Sequence, residues 1–268
     1  MVAELRTADA LIWYDDAGSG VPVVFAHPAS GSHASWREQC DAFLKEGYRC
    51  ITYDLRGWGQ SRSLEAEADP GCMSDDLLAL IDHLQLEQFV LIAAAYGGFG
   101  GLDFGMRFPQ RLRAFVLSGS QGGVADPGYV AIRERVVPPE IRALPIHLRE
   151  LGPSYRVRDP QGMSRWLEIA EQAEHHPARR QRMALDIRLE DLDTLRVPTL
   201  LVAGGADLLA PPALMRRIAD HIGGCEFVTL CEAGHCLHWE QPYEWNTVVL
   251  EWLGRTLQAP GVGTASSG

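Results

Sequence analysis

Short apolar runs rich in β-branched residues recur along the chain at 21–27 (VPVVFAH), 48–54 (YRCITYD), 88–94 (QFVLIAA), 113–119 (RAFVLSG) and 197–205 (VPTLLVAGG). Continuous apolar strands of this length suit burial on both faces, the environment of a parallel sheet covered by helices. Helical patterns fall between the runs, most clearly at 35–45, 74–84 and 211–222, so crossover helices are expected to join the strands. The expected fold class is therefore α/β, a mostly parallel, doubly wound sheet.

The alternation stops between 122 and 195, where the text becomes arginine-rich, proline-punctuated and helical, as in SRWLEIAEQAEHH. Roughly seventy residues without a strand signal is too long for a plain loop. A helical cap at 122–195, inserted into a core formed by 1–121 and 196–257, is the expected organisation. The closing stretch, 258–268, is small, polar and glycine-rich, and a disordered tail is expected there.

Composition narrows the function classes. A net charge of −11 repels phosphate backbones, which argues against a nucleic-acid partner. No apolar run approaches the roughly 20 residues needed to span a bilayer. The amino terminus mixes acids with its apolar residues and lacks the pattern of a secretory signal. These features point to a cytoplasmic protein, monomer or homodimer, handling a small molecule away from membranes. The 6 cysteines show neither a C-x-x-C pair nor a framework spacing, so free thiols are expected, with no metal site and no cofactor.

The chemistry-bearing residues lie just beyond the apolar runs. After 88–94 the chain reads Ala95-Tyr96-Gly97-Gly98-Phe99-Gly100 and enters a helical pattern ending near Phe108. A strand, a sharp turn of small residues and a helix is the setting of a G-x-S-x-G nucleophile elbow, with Ala93 and Gly97 at the glycine positions and Ala95 at the nucleophile. Asp207, in GGAD, follows the run 197–205, and His235 follows in GHCLHWEQP. The order elbow, acid, histidine is that of a Ser-His-Asp triad on an α/β sheet. Beyond 21–27 the loop His27-Pro28-Ala29-Ser30-Gly31 stands where a backbone N–H must face a developing oxyanion. Ala29 and Tyr96 are the expected donors.

On these residues, together with HPASGSHASW at 27–36 and DLRGWGQS at 54–61, the chain resembles the α/β-hydrolase superfamily along most of its length. The resemblance implies Asp207 as the orienting acid and His235 as the base, with Asp54, Arg56 and His27 ordering loops. It implies a hydrolase of small carboxylic esters or lactones working through an acyl-enzyme. Ala95 departs from it, since a methyl group cannot attack a carbonyl. Two expectations follow: a serine hydrolase disabled at its nucleophile, or a non-hydrolytic member that binds a ligand or uses His235 and Asp207 as a general base. Trp166 and Ser30 are the expected pocket residues. Cys236 is set aside as a substitute nucleophile because a side chain adjacent to the base points away from its ring nitrogens. The 11 arginines from Arg133 to Arg188 are read mostly as solvated surface, one or more being able to meet a substrate carboxylate.

Overall fold

The computed structural model describes residues 2–65, 69–173 and 180–258. β1 (Val2–Arg6) and β2 (Ala10–Ala17) open the chain as an antiparallel pair, with the short β5 (Arg62–Ser63) also on β2. β3 (Pro22–Ala26), β4 (Arg49–Tyr53), β6 (Phe89–Ala94), β7 (Leu112–Ser118), β8 (Thr199–Gly204) and β9 (Glu226–Leu230) complete the sheet. Its order is β1-β2-β4-β3-β6-β7-β8-β9, parallel from β4 to β9 and antiparallel where β2 meets β4. Every residue of β6 and β8 is buried, which is why their sequences read as unbroken apolar runs.

Helices cover both faces. Alternate residues of β6 divide between two cores: Leu91 and Ala93 pack with α2 (Met73–His83), α3 (Gly97–Arg107) and α9 (Pro212–Ala219). Val90 and Ile92 pack with Phe43 of α1 (Arg37–Lys45) and Trp245 of α11 (Pro242–Gln258). The expected strands agree with the observed ones to within two residues. The helix expected from residue 35 begins as a 3₁₀ turn, His33–Trp36, capped by the Ser32 side chain. The helices expected at 74–84 and 211–222 run Met73–His83 and Pro212–Ala219. Of the expected tail, Gln258 closes α11 and 259–268 lie outside the described residues.

Between β7 and β8 the chain forms α4 (Pro127–Val136), α5 (Pro139–Arg142), α6 (Ile146–Glu150), α7 (Pro153–Arg158) and α8 (Pro160–Ala173). Proline at or just inside the start of α4, α5 and α7 fixes φ where an N–H has no helical partner, so the prolines set helix starts. The return to the core is pinned by buried carboxylates. Asp103 of α3 accepts from the Ala184 N–H (3.1 Å) and Leu185 N–H (3.0 Å), and from the Ser74 hydroxyl. The Gln181 side chain donates to Asp76 at 2.7 Å, while the Gln181 carbonyl accepts from the Tyr96 hydroxyl at 2.9 Å.

Asp103 is fully buried, so removing it strands several donors without water to replace it. Asp103→Ala is expected to lower unfolding stability by about 3 kcal/mol in urea titrations. A change below about 1 kcal/mol would show that the return segment is held by other contacts.

Candidate active site

The carboxyl ends of β3, β4, β6, β7, β8 and β9 lie on one edge, and every loop singled out in the sequence leaves the sheet there. Ala95 turns the chain from β6 into α3 at φ +46°, a left-handed conformation that costs a non-glycine residue on the order of 1–3 kcal/mol. Surrounding bonds hold it: the Ala95 N–H donates to Ser118 O (3.0 Å), and Ala95 O accepts from the Ser120 hydroxyl (2.5 Å) and the Gly98 N–H (3.1 Å). The turn tolerates no bulk. A Cβ on Gly97 would lie 2.6 Å from the carbonyl oxygens of Ala26 and His27, and one on Gly101 would lie 2.7 Å from Cβ of Ala93.

Asp207 is held from two sides. Its Oδ1 accepts the N–H groups of Leu209 (2.7 Å) and Ala210 (2.9 Å), and its Oδ2 lies 2.8 Å from Nδ1 of His235. A carboxylate at Nδ1 selects the tautomer with its proton there, leaving Nε2 as the ring's acceptor. The His235 main chain is clamped in turn, its N–H and that of Cys236 donating to the carbonyl of Glu150 at 2.8 and 3.2 Å. Glu240, in α10 (Leu237–Glu240), accepts the Gly152 and Gly234 N–H groups, each at 2.9 Å. The histidine loop is therefore tied to both α6 and α10.

Electrostatics follow from burial and these neighbours. Burial alone disfavours the His235 imidazolium, but the Asp207 charge and hydrogen bond, with Glu150 and Glu240 nearby, outweigh it and raise the pKa to about 8. Burial pushes Glu240 up to about 7 against the N–H bonds that favour its ionised form. The Cys236 thiol is driven well above its usual value by burial and by Glu150 and Glu240. Its sulfur lies 3.8 Å from Glu150 Oε2 and 3.8 Å from Ser30 Oγ, a setting unsuited to a thiolate.

A cavity of about 700 Å³ opens at this edge, and Ala29, Ser30, Ala95, Tyr96 and His235 all line it. Trp166 does not. It is buried with Leu151, Tyr155 and Cys236 in a separate cluster, because the apolar face of α8 turns into the insert instead of toward the cavity. Arg133, Arg142, Arg149 and Arg180 also line the cavity, with Glu150 and Gln181. Their helical text alone carries no signal for which side chains face inward, and a buried Glu150 or Glu240 reads in sequence as an ordinary surface acid.

The loop-ordering expectations have a geometric counterpart. His27 Nε2 accepts the Leu55 N–H (2.9 Å), so Nδ1 carries the proton and donates to Pro28 O (2.8 Å). Asp54 accepts from the main chain and ring of His33, both at 2.8 Å, and from the Gln60 N–H. Arg56 binds Asp76 through Nε (2.9 Å) and Nη2 (2.5 Å), and Asp9 through Nη1 (2.7 Å).

Sheet order, the strand-turn-helix at Ala95 and the acid-histidine pair define an α/β-hydrolase architecture. A model of the Alpha/beta hydrolase family matches residues 23–246, and the chain belongs to that family. Among its relatives is the AB hydrolase superfamily protein YisY of Bacillus subtilis, 27% identical over 253 residues covering 90% of this chain and 94% of the relative. The 2-hydroxy-6-oxo-6-phenylhexa-2,4-dienoate hydrolase of Comamonas testosteroni is 23% identical over 280 residues, covering 94% of each. A thermophilic esterase from Thermogutta terrifontis superposes with a TM-score of 0.79 at 26% identity, covering 96% of this chain and 99% of that one. The enol-lactonase of Burkholderia xenovorans has a TM-score of 0.75 at 22% identity, covering 91% and 97%, and at that identity the likeness is one of fold. No helix among the described residues is long and apolar enough to cross a membrane.

The His235 shift has a signed consequence. Its folded pKa, about 8, exceeds the ordinary value of 6.5, so its contribution to stability is complete below about pH 6.5 and is lost as pH rises through about 8. Titration of the His235 ring followed by NMR is expected to show that raised midpoint, and Asp207→Asn is expected to lower it. A midpoint unmoved by Asp207→Asn would dissociate the two side chains.

Proposed function

We propose that the chain is a serine-hydrolase scaffold for small carboxylic esters or lactones in which alanine occupies the nucleophile position. The observation that carries this reading is the buried Asp207, 2.8 Å from His235, with His235 and Ala95 lining one cavity. With a serine at position 95, its oxygen would attack the acyl carbonyl while His235 Nε2 takes the hydroxyl proton. The N–H groups of Ala29 and Tyr96 would hold the oxyanion. His235 would then protonate the leaving alcohol, and water, deprotonated by the same nitrogen, would release the acid from the acyl-enzyme. The 122–195 insert serves as the cap over this cavity, and the protein works on a small molecule in the cytoplasm.

As the chain stands, the acyl-enzyme route is closed. Loss of one triad member leaves an acceleration of about 10³–10⁴ over water from oxyanion binding and positioning. A second reading rests on Ala95 itself: with no hydroxyl to serve, His235 and Asp207 remain a base able to take a proton directly from a bound substrate. Turnover by the unaltered protein that His235→Ala abolishes would favour this second reading.

Ala95→Ser is expected to create esterase activity on 4-nitrophenyl acetate, at least about 100-fold above the unaltered protein. The pH profile of kcat/KM should rise through about 8, because His235 must be neutral to act as base. A folded but inert variant would overturn the proposal.

A further inference from the structure

Among the described residues, the side chains that the 122–195 insert contributes to the cavity carry a net charge opposite in sign to that of the protein as a whole. The chain has 24 lysines and arginines against 35 acids, yet among the described residues Arg133, Arg142, Arg149 and Arg180 line the cavity against one carboxylate, Glu150. The arginines come from α4, α5, α6 and the pinned segment that returns to the core. Arg142 and Arg180 are exposed, whereas Arg133 and Arg149 are half-buried, and it is these two charges that are costly to hold at a cavity wall unless an anion compensates them.

Each cation is placed differently. The Nε of Arg133 is buried and, among the described residues, has no hydrogen-bond partner. Arg149 donates to the main-chain oxygen of Arg142 at 2.7 Å, fixing two of the arginine-bearing elements to each other, and reaches Glu150 only at 3.3 Å. The Arg180 guanidinium lies over the rings of Tyr96 (5.3 Å) and Trp58 (5.8 Å), which holds it beside the elbow. Its neighbour Gln181 is anchored to both Asp76 and Tyr96, so its backbone position is not set by the side chain's own charge.

Resting on the hydrolase reading above, we propose that the substrate carries a free carboxylate remote from its acyl carbonyl, bound by the cap arginines Arg133, Arg142, Arg149 and Arg180. A guanidinium presents a planar fork of donors that matches a carboxylate, and such charge-assisted pairs are stronger than neutral hydrogen bonds. The carbonyl end of the substrate then lies at Ala95 and His235, and the anionic end under the insert. The arginines are specificity-determining groups: they choose half-esters or lactone acids over neutral esters and take no part in proton transfer.

Binding tests this without turnover. Monomethyl succinate, glutarate and adipate are titrated calorimetrically into the unaltered protein beside their dimethyl esters. At least one monoanion is expected to bind about tenfold or more tightly than its diester, with the preference shrinking as salt rises. Arg133→Gln with Arg149→Gln, checked for folding by circular dichroism, is expected to bring the pair close to parity. The unaltered protein showing no preference, including no measurable binding of either ester, overturns the proposal, as does a preference untouched by the double substitution. Failure of the hydrolase reading looks different: Ala95→Ser would be inert while the binding preference persists. Conversely, an active Ala95→Ser with equal kcat/KM for half-ester and diester removes the carboxylate proposal and leaves the hydrolase reading standing.

Discussion

The turn at Ala95 constrains everything around it. A strand buried on both faces must turn into a helix within two residues, and it does so with Ala95 at φ +46°, where an alanine is strained. The strain persists because the surroundings leave no alternative: Ser118 and Ser120 bind its main chain, and Gly97 brings α3 against the carbonyls of β3. In an ordinary turn this conformation would be left to glycine. Held left-handed between two packed elements, Ala95 lines the same cavity as His235.

From that turn the rest of the edge is held by main-chain bonds. Asp207 is oriented by two N–H groups before it meets His235, and His235 is hung from the carbonyl of Glu150. Because Glu150 ends α6, these main-chain bonds join the insert to the histidine loop. The Tyr96 hydroxyl makes the matching tie on the other side, to the Gln181 carbonyl where the insert returns. The positions of the insert and of the His235 ring are thus linked through these bonds, and a change in insert packing would be felt at the imidazole.

The doubly buried strands were legible because burial on both faces leaves no room for polar residues; β6 and β8 announce themselves. β1 was not, because its residues alternate exposed and half-buried over only 5 positions at the sheet edge. Ala95, Asp207 and His235 could be placed from order and context, since each follows a strand by a short turn. Trp166 could not: a helix shows its apolar face in sequence, but which neighbour that face meets is decided by tertiary packing, here Leu151, Tyr155 and Cys236. The buried carboxylates Asp103, Glu150 and Glu240 were invisible for a related reason. The Asp103 and Glu240 carboxylates meet backbone N–H groups, the Glu150 carboxylate meets the Arg149 guanidinium and the Cys236 thiol, and nothing in residue type marks a carboxylate that has been taken out of water.

The proposal that position 95 is the nucleophile position can be checked by treating the unaltered protein and the Ala95→Ser variant with a fluorophosphonate and locating any adduct by peptide mass spectrometry. Stoichiometric phosphonylation at position 95 is expected in the variant, with no adduct in the unaltered protein. A folded variant left unlabelled at position 95, or an adduct on another residue of the unaltered chain, would contradict it.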